Sequence, residues 1–457
     1  MNNSKFQAFI EYVCGKSVAV VGIGISNIPL IKLLCESGAK VSAYDKRELS
    51  ELGENAVQLE KMGAELVCGE DYMENLKGEI IFKTPGMRFD HPSLEKARAN
   101  GSIVTSEMEV FFEVCPSKII AVTGSDGKTT TTTLIYKILS ESGYKCHLGG
   151  NIGNPLLCMA DEIKKDDITV LELSSFQLHT MKKSADVSVV TNITPNHLDM
   201  HKSYEEYIEA KKNIYLHADK DSVLVVNKTN DKSYECKDTA NGDVRVFGYD
   251  SECDVYSDGG AIYAFGKKLL DISDINIPGE HNVQNYMTAI AATYPLYKEE
   301  AVCTVARTFG GVAHRIEFVR EKDGVKYYNS SIDSSPNRTI NTLKVFDRVI
   351  LITGGKDKGI SYDSLGEWLA KKTKHIILIG KTGPVIKESL DKYVEKTGEG
   401  KDIKSQFCTT YEEAVKAAQK VAEKGDVVLL SNASTSFDMF RNFEERGNLF
   451  KDIVNAL

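Results

Sequence analysis

Short apolar runs alternate with amphipathic stretches along most of this chain. Ser17–Val21 and Lys40–Tyr44 come first, separated by an apolar-periodic stretch through Leu30, Leu33 and Leu34, and Glu79–Lys83 follows. Ile120–Thr123, Ile168–Leu173 and Val187–Asn192 form a second group, near-continuous apolar and rich in β-branched residues. Arg348–Thr353, His375–Ile379 and Asp426–Leu430 form a third. Such runs predict parallel strands covered on both faces, with helices between them. Helices are expected from Thr131 through Leu139, over Tyr204–Leu216, and from His281 onward, after the helix-breaking Pro278-Gly279. In Ser436–Gly447, Phe437, Phe440 and Phe443 have the spacing of a buried stripe on an amphipathic helix.

The most specific chemistry lies where the strand ending at Thr123 meets its helix. Gly124-Ser125-Asp126-Gly127-Lys128-Thr129-Thr130 is a glycine-rich turn followed by Lys-Thr. Glycines let backbone N–H groups approach phosphate oxygens, the helix N-terminus adds partial positive charge, and the Thr129 hydroxyl can ligate Mg²⁺. This is the short G-x-x-G-K-T form, because Val122 belongs to the strand where the longer form has a glycine. Glu172 and His197 follow the next two strands, and ligands in open parallel sheets bind at such carboxyl ends. Together, after a phosphate loop, they favour a metal site. Singly, Glu172 reads as a helix-start acid, His197 as a core histidine and Lys211 as a solvated helix lysine.

The first strand also ends in a glycine turn, Gly22-Ile23-Gly24-Ile25-Ser26-Asn27. Asp45 stands 23 residues beyond Gly22, which suits an acidic ribose-binding position. The third glycine of a dinucleotide fingerprint is missing, so another nucleotide serves at least as well as NAD. Arg47 can face a phosphate there or be a surface cation.

Composition narrows the class. With 56 basic and 65 acidic residues the net charge is −9, which argues against a nucleic-acid surface. The 10 cysteines include no C-x-x-C pair, as expected of reduced thiols in a cytoplasmic protein. Phe6–Val13 is too short and too polar for a signal peptide, and no run approaches the ~20 apolar residues of a membrane span.

With these motifs in hand, the chain resembles the Mur ligases, ATP-dependent amino-acid ligases of peptidoglycan precursor synthesis. The resemblance runs through the phosphate loop, Gly150-Asn151-Ile152-Gly153, Glu172–Leu178, Asn192-Ile193-Thr194 with His197 and Asp199, and His281-Asn282 with Asn285. Gly354-Gly355 with Lys358, and Ser436–Gly447, point to the branch that adds D-glutamate to UDP-N-acetylmuramoyl-L-alanine. It implies an α/β protein of three domains. Residues 1–111 would form a Rossmann-like domain for the UDP substrate, 112–312 a central ATPase-type parallel-sheet domain, and 313–457 a Rossmann-like amino-acid domain. Gly22, Ile23, Gly24, Ile25, Ser26, Asp45, Arg47, Thr84 and Gly86 would hold the UDP part, with Asn151 and Ser174 near the muramoyl group. Gly124 to Thr130 would cradle ATP, with Asn282 and Asn285 on its adenine side and Arg315 on its phosphates. Two Mg²⁺ ions would be held by Thr129, Glu172, His197 and Lys211, the last as a CO₂-derived carbamate. Lys128, His197, Lys211 and Arg315 would be the catalytic set, and Lys358, Ser436 and Phe443 would bind D-glutamate. The implied enzyme is a cytoplasmic monomer acting on small molecules.

The chain departs from this branch at one place. Where Asp-Ser-Lys-x-Thr is common, it has Ser330-Ser331-Ile332-Asp333-Ser334. Arg338 is expected to take over from the missing lysine, with Lys358 as the main glutamate anchor. Rivals are a folate-type ligase, a nucleotide-binding regulator without turnover, and an NAD-dependent dehydrogenase resting on Gly22 and Gly24 alone.

Overall fold

Three sheets carry the chain in a computed structural model, which describes residues 3–24, 27–153, 155–195, 201–357 and 359–457. Residues 1–275 and 280–307 form one unit, containing the first two sheets. Residues 276–279 and 308–457 form the other, containing the third.

The first sheet contains β1 (Ser17–Val21), β2 (Lys40–Asp45), β3 (Glu65–Cys68), β4 (Ile80–Phe82) and β5 (Ile103–Thr105), all parallel in the order β3-β2-β1-β4-β5. The second contains β6 (Lys118–Thr123), β7 (Cys146–Gly150), β8 (Ile168–Glu172), β9 (Val187–Val190), β10 (Val223–Asn227), β11 (Asp243–Gly248), β12 (Val255–Ser257), β13 (Ala261–Ala264) and β14 (Lys267–Asp271). Its order is β14-β13-β12-β11-β10-β9-β6-β8-β7, parallel from β7 as far as β12 and antiparallel beyond. The third contains β15 (Glu317–Lys322), β16 (Val325–Asn329), β17 (Val349–Thr353), β18 (Thr373–Leu378), β19 (Lys404–Phe407) and β20 (Val427–Leu430), ordered β15-β16-β20-β17-β18-β19 with only β15 antiparallel.

Strands read as near-continuous apolar runs are those with helices on both faces. Val170, Leu171, Ile350 and Leu351 are fully buried. Edge strands such as β3, β5 and β19, and the β12–β14 meander, are short or polar on one side and left no comparable pattern. The helix Lys128–Glu141 buries Leu134, Ile135, Ile138 and Leu139 completely. Each such side chain contributes ~1.5–3 kcal/mol, enough to hold the phosphate loop's helix against its sheet.

Two helix expectations are corrected. The helix after Ser203 ends at Lys212 rather than Leu216. Ser436–Gly447 is not one helix: Met439 and Phe440 N–H groups turn back to the Ser436 carbonyl, and helix begins only at Phe443. The Asn442 side chain caps it by accepting from Glu445 N–H, and Phe437, expected in a buried stripe, is 60 % exposed.

The carboxyl ends of β7 and β8 approach so closely that only glycine fits. Gly150 has φ +92, and a Cβ there would fall 2.1 Å from the Glu172 carbonyl oxygen. Asn151 N–H donates to that same oxygen at 2.8 Å. Gly150→Ala is expected to lower stability by at least ~2 kcal/mol in urea unfolding, through a clash with backbone that cannot yield. An unchanged midpoint would show that the two strand ends separate freely.

Candidate functional site

At the carboxyl edge of the first sheet, Asp45 organises the loop that follows β1. Its Oδ2 accepts from Ile23 N–H at 2.7 Å, and Arg47 forks onto both carboxylate oxygens at 2.8 and 2.9 Å. Arg47 Nη2 also donates to the Ile23 carbonyl at 2.7 Å. Arg47 is therefore not a free cation: its guanidinium locks Asp45 to the turn, while nearly half of the side chain stays exposed. Burial alone would push the Asp45 carboxyl up, but the Arg47 and Ile23 hydrogen bonds overcome it and hold it at about 2. Asn27 donates to the Val21 and Gly22 carbonyls, closing the turn from the helix side. Thr84 and Gly86 follow β4 beside it, whereas Ile25 and Ser26 lie outside the described residues.

The phosphate loop sits where β6 lies between β8 and β9. Gly124 and Gly127 take φ +151 and +78, and Gly127 stands before the first helical residue, Lys128. Ser125 N–H donates to the Asn192 carbonyl and Asp126 N–H to the Asn192 side chain, so the loop after β9 braces the phosphate loop. Lys128 Nζ donates to the carbonyls of Gly124 and Ser125, both at 3.0 Å. Behind the loop, Asn285 accepts from Thr131 and donates to Asn282, and both asparagines are buried. A Cβ on Gly127 would lie 2.5 Å from Asn285 Oδ1, so this asparagine shapes the loop directly. Thr129 and Thr130 open the helix, Thr129 half-buried.

Glu172 ends β8 and is 1 % exposed. Its Oε1 accepts from Asn151 Nδ2 at 2.7 Å, while Oε2 is buried with no hydrogen-bond partner. A buried, half-satisfied carboxylate next to a phosphate loop fits a hard cation that takes oxygen ligands. Among the described residues no three His, Cys, Asp or Glu side chains form a metal cluster; His197 and Asp199 lie outside them. Ser174 caps the short helix Ser175–Leu178.

Lys211 overturns its reading as a solvated helix lysine. It is 1 % exposed, and its Nζ donates to the Gly124 carbonyl at 2.7 Å and to Thr123 Oγ1 at 3.4 Å. Burial, reinforced by the Lys128 ammonium, pulls its pKa well below the ordinary lysine value against the opposing charges of Asp126 and Glu172. Tyr207, one turn earlier on the same helix face, was missed. Its ring lies under Lys211 Nζ at 4.5 Å and its hydroxyl meets Ser125 Oγ at 2.9 Å. The i, i+4 spacing was the available signal.

In the second unit the loops after β16, β17 and β20 converge. Lys356 and Thr435 exchange backbone hydrogen bonds, and Gly355 N–H donates to Thr382 Oγ1. Ser436 is buried, Phe443 half-buried, and Lys358 lies outside the described residues. Arg446, also missed, is wholly buried and donates to Ser331 Oγ, the Ser331 carbonyl and the Ser434 carbonyl. Asp333 is locked by Thr342 and Ser431, and burial pushes its carboxyl up. Arg338 donates to the Ile332 carbonyl at 3.1 Å, where the usual lysine is absent. Arg315 stands between His314 and Ile316, whose φ values are +62 and +46. A β-branched residue in that region costs ~1–3 kcal/mol, strain that fixes where the arginine departs from the backbone.

Three family descriptions match the chain in order: "Mur ligase MurD-like, N-terminal domain" over residues 16–106, "Mur ligase middle domain" over 122–293, and "Mur ligase, glutamate ligase domain" over 314–433. The UDP-N-acetylmuramoylalanine--D-glutamate ligase of Acetivibrio thermocellus is 52 % identical over 463 residues, covering 100 % of this chain and 99 % of that protein. The protein of the same name from Ruminiclostridium cellulolyticum is 51 % identical over 463 residues, covering 100 % of both. The UDP-N-acetylmuramate-alanine ligase MurC of Thermotoga maritima shares the fold, with a TM-score of 0.59 at 19 % identity over 96 % of this chain and 99 % of that one.

The Asp45 lock has a pH signature. A carboxyl held at about 2 contributes stability that is complete above its unfolded value near ~4 and is lost as pH falls through about 2. Asp45→Asn is expected to flatten that part of the acid limb in urea midpoints measured from pH 5 down to pH 2. An acid limb identical to wild type would show that Asp45 does not carry it.

Proposed function

Given that the chain belongs to the Mur ligase family, we propose that it joins D-glutamate to UDP-N-acetylmuramoyl-L-alanine in an ATP-driven step of peptidoglycan precursor synthesis. The observation that carries this reading is full-length identity of about half to two ligases of that name, over a chain whose phosphate loop, Glu172 and Lys211 are assembled at one sheet edge. The enzyme acts in the cytoplasm as a monomer. Residues 1–111 serve the UDP substrate, 112–312 ATP, and 313–457 the amino acid.

Amide formation at neutral pH needs an activated carboxyl. The alanyl carboxylate attacks the γ-phosphorus of ATP, giving an acyl phosphate and ADP. The D-glutamate amine, once deprotonated, attacks that carbonyl, and the C–O bond to phosphate breaks. Catalysis of this kind is positioning and charge neutralisation, and no Ser or Cys nucleophile is involved. The backbone N–H groups of Gly124 to Thr130 and the Lys128 ammonium meet the β- and γ-phosphates, and Arg315 is the second cation assigned to them. Asn282 and Asn285 keep the loop in shape beside the adenine side. Thr129, Glu172 and His197 would hold Mg²⁺, which would supply charge neutralisation at the transferring phosphoryl group. Asp45, Arg47 and the Gly22–Ser26 turn, with Thr84 and Gly86, hold the UDP part, and Asn151 and Ser174 the muramoyl part. Ser436, Phe443 and Lys358 hold D-glutamate, with Arg338 contributing near Ile332.

Lys211 fits carbamate formation. Only a neutral amine attacks CO₂, and its burial keeps the amine neutral more readily than in a solvated lysine. The N–C bond forms, one proton leaves to solvent, and the product is an anion suited to a Mg²⁺ site.

Phosphate release with UDP-N-acetylmuramoyl-L-alanine and a panel of D- and L-amino acids should be confined to D-glutamate, with ADP as the other product. Lys128→Ala should lose at least ~1000-fold in turnover while binding the UDP substrate nearly as wild type does. AMP formation, or preference for a neutral or cationic amino acid, would overturn the reading. Separately, Lys211→Ala should be nearly inactive and be partly rescued by small carboxylates such as formate; full activity without them would remove the carbamate from the mechanism.

A further inference from the structure

Among the interior cations of the first unit, Lys83 stands apart. It follows β4 directly and is only 4 % exposed. Its backbone N–H is satisfied by the Thr105 carbonyl at 2.9 Å. Its ammonium has no hydrogen-bond or ion-pair partner among the described residues. Lys211, buried still more completely, donates to two oxygens. Glu109 is close enough to favour the charged form of Lys83 without touching it, and its own Oε2 is buried without a partner. A buried cation kept for the fold alone would be paired, because desolvation without a partner destabilises the folded state.

The surroundings say what it faces. Lys83 lines a cavity of about 130 Å³ together with Asn27, Ser106, Glu107, Asn151 and Gln177; Glu107 accepts from Leu157 N–H, and burial pushes its carboxyl up, towards the neutral form. The sheet order β3-β2-β1-β4-β5 reverses between β1 and β4, and the crevice at such a reversal, at the carboxyl ends of the strands, is where α/β sheets bind ligands. One wall of the crevice is the N-terminus of the ten-residue helix Asn27–Glu36, which favours an anion. Lys83 is on the other wall, one residue before Thr84. A Cβ on Gly22 would lie 3.3 Å from Thr84 Cβ, so the two walls meet there.

We propose that Lys83 is a substrate-binding residue whose ammonium meets the diphosphate of the UDP-sugar, opposite the N-terminus of the helix Asn27–Glu36. This rests on the reading of the chain as a UDP-sugar ligase. The two walls hold the two charges of the diphosphate from opposite sides, and Asn151, on the same cavity, continues toward the muramoyl group. Lys83 contributes to substrate affinity and nothing to phosphoryl transfer. Its conformation without substrate is a destabilised one that ligand binding relieves.

Two variants test this on the full chain. Lys83→Met keeps the aliphatic stem and removes the charge; Lys83→Arg keeps the charge. Calorimetric titration with UDP-N-acetylmuramoyl-L-alanine, UDP and uridine separates the groups contacted. Lys83→Met should bind the first two about ten- to hundred-fold more weakly and uridine as wild type does, with Lys83→Arg intermediate. KM for ATP and for D-glutamate should not move. The melting temperature of Lys83→Met should equal or exceed that of wild type, an outcome a structural lysine does not give. Equal losses for UDP and uridine, no loss at all, or a loss confined to UDP-N-acetylmuramoyl-L-alanine would overturn the diphosphate assignment. A wild-type protein that binds neither UDP nor UDP-N-acetylmuramoyl-L-alanine would overturn the ligase reading itself and this one with it.

Discussion

The hydrogen bond from Lys211 Nζ to the Gly124 carbonyl is the interaction around which the first unit is built. An amine with almost no exposure requires a fixed acceptor, and the acceptor here is the phosphate loop's own backbone. The helix that carries Lys211 must then be held in place. Ser203 caps it through Glu206 N–H, and Arg88, from the loop after β4, forks onto the Glu206 carboxylate. The Arg88 fork draws the Glu206 carboxyl down to about 2 although burial acts the other way. A charge pair between two sheets of one unit thereby fixes the register of a lysine at the phosphate loop. Tyr207 fills the space between them, touching both Lys211 and Ser125.

The same economy of buried polar groups recurs in the second unit. Arg446 ties the loop after β16 to the loop after β20 through Ser331 and Ser434. His314 is clamped by Asn329 and Glu317 and meets the Phe443 ring edge-on, at 5.9 Å between centroids. Arg315 thus emerges from a strained turn that also supports the first residue of the helix Phe443–Asn455. Glu172 and Lys211 in the first unit, and Asp333 and Arg446 in the second, lie at the carboxyl edge of a sheet, where strand ends leave polar backbone to be satisfied.

Glu172 and Lys83 share a feature that sets them apart from these locks. Each is buried with part of its hydrogen-bonding capacity unmet among the described residues. Satisfied groups such as Asp45, Asp333 and Arg446 hold loops in shape, while groups left short at a crevice are the ones chemistry can use.

Local pattern by itself determined a good deal of this protein. Apolar runs such as Ile168–Leu173 and Val187–Asn192 announced parallel strands because covered strands need apolar residues on both faces, and Gly124–Thr129 announced phosphate binding because that turn needs glycine and a helix start. Family resemblance then brought Glu172, Lys211, Ser436 and Phe443 into one scheme. Only the tertiary structure decided which charges are interior. Lys211 reads as a solvated lysine in the chain and Lys83 only as the end of a strand run, since a lysine's burial depends on residues distant in sequence such as Gly124 and Asn27. It also decided that Arg47 locks Asp45 rather than standing free, and that Ser436–Asn442 is a turn although its phenylalanines have helical spacing. Side-chain periodicity records what a segment can bury; where a charge ends up is set by the partners that long-range packing brings to it.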